Sequence, residues 1–411
     1  MPSEPDGRSE PSQTGQGRRT ASADRRRIGV GILLGIVAAL VAVRFVPQKR
    51  LVQPSSSVEV PGDLLREDEG PLHEIVFHFV PSLESLIEPT YSDFFRAIDP
   101  STRLVAIVPT GDGAQKLRAF LAKVRPALEA NLRIVEVAPP ITLWSKDRAL
   151  VAAPRGEASR ATLLIPLAPD PHWVERRNDW ATLSAIAKDA PSRYFVRELP
   201  LEFDAGDFTV TGDRVLVDVN LVAKNAGRGL ATPEALAELL TKTFGRKVTV
   251  LGRTAGDVPR HHMSMYMAPL GSSTVLVGDP PAAQRWLAAN PAPIAWGQNP
   301  DTGGELVPDF SPAVVERFER AAKELAAAGF RVERVPVIPF DDKTYVTYTN
   351  GIYETRAGKK IAYVPVYGLG LDELAKAVYE RLGWEVKAIR VKEVFPFHGT
   401  IGCLVNVLSR G

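Results

Sequence analysis

From His73 to its C-terminus the chain alternates short apolar runs with amphipathic stretches, and this restricts it to an α/β architecture. Glu74–Val80 (EIVFHFV), Leu104–Pro109 and Ile134–Ala138 read as strands, with helices over Leu83–Ile98 and Ala114–Leu132 between them. Further strand-like runs fall at Ala149–Ala153, Thr162–Leu167, Tyr194–Leu201, Phe208–Val210, Val215–Val219, Val248–Leu251, Val275–Gly278, Val332–Val337, Tyr345–Tyr348, Ile361–Val366, Val386–Val391 and Leu404–Leu408. Helical periodicity marks about Trp173–Lys188, Pro233–Thr243, Pro312–Ala328 and Leu371–Leu382. Roughly fifteen strands to five or six helices is more strand than a simple βαβ array needs, so short hairpins must be interleaved. Strand-helix-strand units with an extra hairpin suit a propeller-like arrangement whose strand ends converge on a centre. A doubly wound sheet is the alternative, and it lacks a Gly-x-Gly-x-x-Gly or phosphate-binding loop after an early strand.

The N-terminal part is different in kind. Met1 to Asp24 is rich in Ser, Gly, Gln, Pro and Arg without apolar periodicity, so residues 1–27 read as a disordered basic arm ending in Arg25-Arg26-Arg27. Ile28 to Val43 carries no charge, and a run of about 16 to 19 apolar residues at roughly 1.5 Å rise each just spans a hydrocarbon core of about 30 Å. Residues 28–46 are expected to be a single transmembrane anchor, 47–72 a linker and 73–411 the folded domain. A cleaved signal peptide and a buried soluble helix are the competing readings. Six arginines before the segment, against Arg44, Lys49 and Arg50 after it, favour a cytoplasmic N-terminus and an extracytoplasmic domain, or a secreted one after cleavage.

Charges nearly cancel, with 50 Lys+Arg against 48 Asp+Glu, so no global field points to nucleic acid. The single cysteine, Cys403, can form neither an internal disulfide nor a thiolate zinc site. It is either a small buried hydrophobe or a nucleophile. Three other segments carry acids or histidine outside the expected helices: Trp144-Ser145-Lys146-Asp147, Asp204-Ala205-Gly206-Asp207, and His261-His262-Met263-Ser264. Taken singly, each has a plain structural reading as a turn acid or a packed histidine. Adjacent histidines on an extended segment point apart, which argues against a metal site.

Taken jointly and in order, these segments resemble the guanidino-group-modifying enzymes, which include agmatine, arginine and peptidyl-arginine deiminases. Trp144-Ser145-Lys146-Asp147 resembles that family's Trp-x-Arg-Asp, and Asp204-Ala205-Gly206-Asp207 its Glu-Gly-Gly-Asn/Asp, with Asn225 matching a later asparagine. His262-Met263-Ser264 is similar to His-x-Asp, and Gly399-Thr400-Ile401-Gly402-Cys403 to the glycine-rich loop with its near-terminal cysteine. Tyr348-Thr349-Asn350-Gly351 to Gly368 looks like the penultimate region. The resemblance spans about residues 73 to 411.

It implies a five-bladed pseudo-symmetric α/β propeller of pentein type with a central site, and a hydrolase acting on a small guanidino compound or arginine peptide. Catalysis would fall to Cys403, His262 and Asp147, and substrate binding to Asp204, Asp207, Trp144 and Ser264, without metal or cofactor. A guanidinium is planar, cationic and poorly electrophilic, so carboxylates must hold its N–H fork while a thiolate attacks its carbon. His262 would protonate the departing ammonia and then activate water against the thiouronium. Ser264 stands where the family carries an acid, and losing that charge-assisted contact is worth about 2 to 4 kcal/mol. A non-catalytic relative that binds a cationic ligand or protein partner is therefore the second expectation. Oligomeric state is not readable.

Overall fold

The computed structural model describes residues 58–156, 159–167, 176 and 178–411. The basic arm and the apolar segment 28–46 lie outside them, and none of the described helices is long and apolar enough to cross a membrane. Residues 58–72, expected to end a linker, are part of the domain instead. Val60 and Leu64 are buried, Val60 N–H donates to Thr243 O at 3.2 Å, and strand β1 (Asp63–Leu64) pairs antiparallel with Leu150–Ala153. The polar residues around these two apolar anchors concealed their role in the sequence.

Strands β2 (Leu72–His78), β3 (Arg103–Pro109) and β4 (Leu132–Val137) run parallel, linked by helices α1 (Glu84–Ala97) and α2 (Gly113–Val124). β2 is almost continuously buried, as expected of a central strand covered on both faces. The second sheet joins β1 to β5 (Leu150–Ala153), β6 (Ala161–Pro166) and β7 (Tyr194–Leu199), with α3 (Asp179–Asp189) crossing over between the last two. The third contains β8 (Thr209–Thr211), β9 (Arg214–Asp218) and β10 (Lys247–Leu251), with α4 (Val219–Asn225) and α5 (Pro233–Phe244) in its crossover. Asp218 caps α4 by accepting from Asn220 N–H, and Thr232, Pro233 and Gly245 start and stop α5.

The fourth sheet holds β11 (Met267–Pro269), β12 (Thr274–Asp279), β13 (Arg331–Pro339) and β14 (Tyr345–Thr347), with α6 (Pro280–Ala289) and α7 (Pro312–Ala327) between β12 and β13. The fifth holds β15 (Ile352–Arg356), β16 (Lys359–Val366) and β17 (Trp384–Arg390), crossed by α8 (Leu371–Arg381). A single helical turn, α9 (Ile401–Leu404), then leads into β18 (Val405–Arg410), which pairs antiparallel with β2. The last strand thus completes the first sheet, and the chain closes on itself.

One pattern recurs in all five sheets: an antiparallel strand, a middle strand, and a parallel strand reached through helix. The interleaved hairpins expected from the strand excess are these antiparallel strands. Sequence periodicity missed β1, β11 and β15, which are short or newly turned out of the site loops, and it missed α4 and α6.

Because β18 supplies both the closure and the frame for Cys403, its packing should govern stability. Leu408→Ala, at a position 1% exposed, is expected to cost about 2 to 5 kcal/mol in urea unfolding, whereas a cost below about 0.5 kcal/mol would mean that the closing strand contributes little.

Candidate active site

Each sheet's antiparallel strand is entered from a short buried segment, and these segments meet. Asp147 precedes β5, Asp204 and Asp207 precede β8, His262 and Ser264 precede β11, Asn350 precedes β15, and Cys403 precedes β18. Hydrogen bonds tie them together directly. Lys146 N–H donates to Cys403 O at 3.2 Å, Ala205 N–H to Asp147 O at 2.9 Å, and Gly402 N–H to Asn350 O at 3.1 Å. Thr349 Oγ1 donates to Ser264 O at 3.0 Å, and Ser145 Oγ to Leu404 O at 2.7 Å.

His262 lies at the middle of the charged part. Its Nε2 is 3.4 Å from Asp204 Oδ2 and its Nδ1 is 3.9 Å from Asp147 Oδ1, and the Cys403 side chain lies beside the ring. Asp147 Oδ1 and His262 Nδ1 face each other with no hydrogen-bond partner among the described residues. The ring rests on Gly206, where a Cβ would come within 2.5 Å of His262 Cγ, so that position admits no side chain. The ring also stacks on His261, with centroids 4.2 Å apart. Burial alone would lower the His262 titration, but the Asp147 charge and the neighbouring Asp204 and Cys403 side chains outweigh it and push the imidazolium up to about 10.

Arginine 176 was not among the residues singled out in the sequence. Its Nη2 donates to Asp147 Oδ2 at 2.7 Å and to Asp204 Oδ1 at 3.0 Å, so one of the chain's own guanidinium groups sits on the two carboxylates expected to hold a substrate. Asp204 also meets Lys224 Nζ at 3.2 Å and Arg148 at 3.5 Å. Burial works to raise the Asp204 carboxyl, yet Lys224, Arg176 and His262 together hold it well below the usual carboxylate range. Asp147 is displaced upward by burial, which Arg176 and His262 only partly offset.

Other expected residues fall at one remove. Asp207 is a bidentate acceptor for Lys224 Nζ at 2.7 and 2.9 Å and caps the turn by accepting from Asp204 N–H, so it supports Asp204 rather than facing the thiol. Ser264 accepts from Asn350 Nδ2 at 2.9 Å. The Trp144 ring lies against Gly399 in the cysteine loop, and Lys146 turns away to Glu67 at 3.1 Å. Asn225 is structural: it pairs with the backbone N–H and C=O of Glu202 at 2.9 and 2.8 Å. Cys403, expected at the mouth of a strand, occupies a helical turn just before one and is 3% exposed.

Asp147, Asp204 and His262 offer ligand atoms within 4.8 Å of one another, a spacing a divalent ion could use. Two properties oppose that use: Arg176 already occupies both carboxylates, and an imidazolium has no lone pair for a metal.

The arrangement has counterparts among solved structures. The agmatine deiminase of C. jejuni superposes with a TM-score of 0.60 at 15% identity, over 85% of this chain and 96% of that one. The agmatine deiminase of Enterococcus faecalis gives 0.58 at 14% identity, over 86% and 99%. A serine-for-cysteine variant of the C. jejuni enzyme, solved with substrate bound, matches equally well at 0.60. No family model and no curated protein matches the chain. The chain therefore has the pentein-like α/β fold of the agmatine deiminases, and the resemblance read from the sequence is confirmed as one of fold.

The raised His262 titration carries a linkage. Its folded value lies above the ordinary value near 6.5, so its contribution to stability is fully present below pH 6.5 and is lost as pH rises through about 10. Imidazole NMR should show His262 protonated at pH 8, and Asp204→Asn should move its midpoint downward; a wild-type midpoint near 6.5 would contradict the geometry.

Proposed function

We propose that this protein is a deiminase-like hydrolase acting on a guanidino group through Cys403 and His262. The observation that carries the reading is the guanidinium of Arg176, held by Asp147 and Asp204 beside a buried cysteine–histidine pair. Two carboxylates that hold one guanidinium by charge-assisted hydrogen bonds are chemically suited to hold another. The five like sheets, each feeding one segment to a common site, support arrangement as five blades around a pseudo-fivefold axis.

In the reaction, the substrate guanidinium takes the place of the Arg176 group, with Asp147 Oδ1 as a further acceptor. The Cys403 sulfur forms a bond to the guanidino carbon while His262, protonated at neutral pH, gives its proton to the departing nitrogen, which leaves as ammonia. The neutral imidazole then takes a proton from water as the oxygen attacks the thiouronium carbon. The carbon–sulfur bond breaks, and a ureido product leaves. Guanidinium and water are consumed; the ureido compound and ammonium are formed. Agmatine, arginine and peptidyl-arginine share the required group.

Two observations favour a second reading, a binding protein with impaired catalysis. Ser264 provides no charge where an acid was expected, and Arg176 already occupies the carboxylate pair. We further infer that residues 28–46 anchor the domain to a membrane, with the N-terminus cytoplasmic, on the strength of the uncharged run and the arginines before it.

Full-length protein incubated with agmatine, arginine and an arginine peptide should release ammonia and a ureido product. Cys403→Ala should abolish the reaction, and Arg176→Ala should lower the concentration of guanidino compound needed. Saturable binding without turnover, in wild type and Arg176→Ala alike, would favour the binding reading.

A further inference from the structure

Four of the five segments that enter the site were singled out for chemistry in the sequence, and the fifth brings Asn350. This residue is fully buried two positions before β15, as Cys403 is two positions before β18. Its Nδ2 lies 3.2 Å from Cys403 Sγ and 2.9 Å from Ser264 Oγ, with Met265 Sδ at 3.1 Å. Its Oδ1 lies 2.8 Å from Thr400 Oγ1 and 3.6 Å from Cys403 Sγ, so of the two amide atoms the Nδ2 donor is the nearer to the sulfur. Its backbone carbonyl accepts from Gly402 N–H at 3.1 Å and from Thr400 Oγ1 at 2.6 Å. A Cβ on Gly402 would come within 2.5 Å of Asn350 Oδ1, so the turn that carries the thiol docks on this one side chain only because position 402 lacks a side chain.

We propose that Asn350 is a positioning residue for Cys403: it seats the nucleophile's turn and directs an amide N–H at the sulfur, favouring its anionic form. This role rests on the reading of Cys403 as nucleophile. It also accounts for Ser264. A hydroxyl there accepts the second Nδ2 hydrogen and keeps a negative charge away from the sulfur, where a carboxylate would oppose ionisation. The groups facing Cys403 are otherwise His262, with Asp204 and Asp147 behind it, and the Tyr367 phenol.

Cys403 is the chain's only cysteine, so alkylation of the full-length protein by iodoacetamide, followed by intact mass, reports on it alone. Asn350→Asp keeps the shape and the Oδ1 that faces Thr400 but replaces the Nδ2 donor, the amide atom nearer the sulfur, by a second oxygen. A hydrogen bond to a charged group lost in this way should move the pH profile of alkylation upward by about 1 to 2 units. Thr400→Val frees the amide to rotate and should shift the profile in the same direction by less. A purely structural Asn350 would lower the melting temperature and leave the profile of folded protein in place, which overturns the proposal. Should Asn350→Asp fail to fold, an unshifted profile in Thr400→Val overturns it equally. If instead the profiles shift but no substrate is turned over, the positioning role stands and the hydrolase reading falls.

Discussion

Burying Asp147 close to Asp204, with Asp207 beside Asp204, is tolerable only because cations lie directly on them, and the rest of the site is arranged around that requirement. An isolated carboxylate taken out of water is too costly to keep ionised, whereas paired and hydrogen-bonded ones persist. Here Lys224 serves Asp207 and Asp204, Arg176 bridges Asp204 and Asp147, and His262 is drawn into its charged form between them. The histidine's state is therefore a consequence of the acids. The same electrostatics explain how one of the chain's own guanidinium groups, that of Arg176, comes to lie on Asp147 and Asp204.

The fold supplies the precision that such a cluster needs. Asp147, Asp204, Asp207, His262 and Cys403 each sit on a short segment immediately before a strand, so the backbone of each is fixed at one end by a sheet. Cross-bonds between loops fix the other end, as with Lys146 to Cys403 and Ala205 to Asp147. Pairing of β18 with β2 joins the cysteine's strand to the first sheet, and Asn350 meets the turn before it.

Much of this was legible in the sequence. The strand runs were marked by apolar alternation, and the order of Asp147, Asp204, His262 and Cys403 identified groups that do converge although they are far apart along the chain. Arg176 was not legible, because an arginine near the start of an expected helix looks like any solvated one until the fold brings it against two acids. Asn350 lay within a segment noted for its resemblance alone, since a buried amide acquires meaning only from its neighbours. Lys146 and Ser264 looked like departures within the site. The first turns out of it toward Glu67, while the second has a partner of its own in Asn350. The missed helix α4 has seven residues, too few to establish a period, and Val60 and Leu64 are single apolar residues in a polar stretch.

The central claim is that a carboxylate pair presents an amidine-like cation to Cys403. Comparing 2-chloroacetamidine with neutral 2-chloroacetamide as alkylating agents tests it most directly, with the adduct on the single cysteine followed by intact mass. The account predicts that the amidine reacts about ten to a hundred times faster, and that Asp147→Asn erases the preference. Equal rates in the wild-type protein would contradict it.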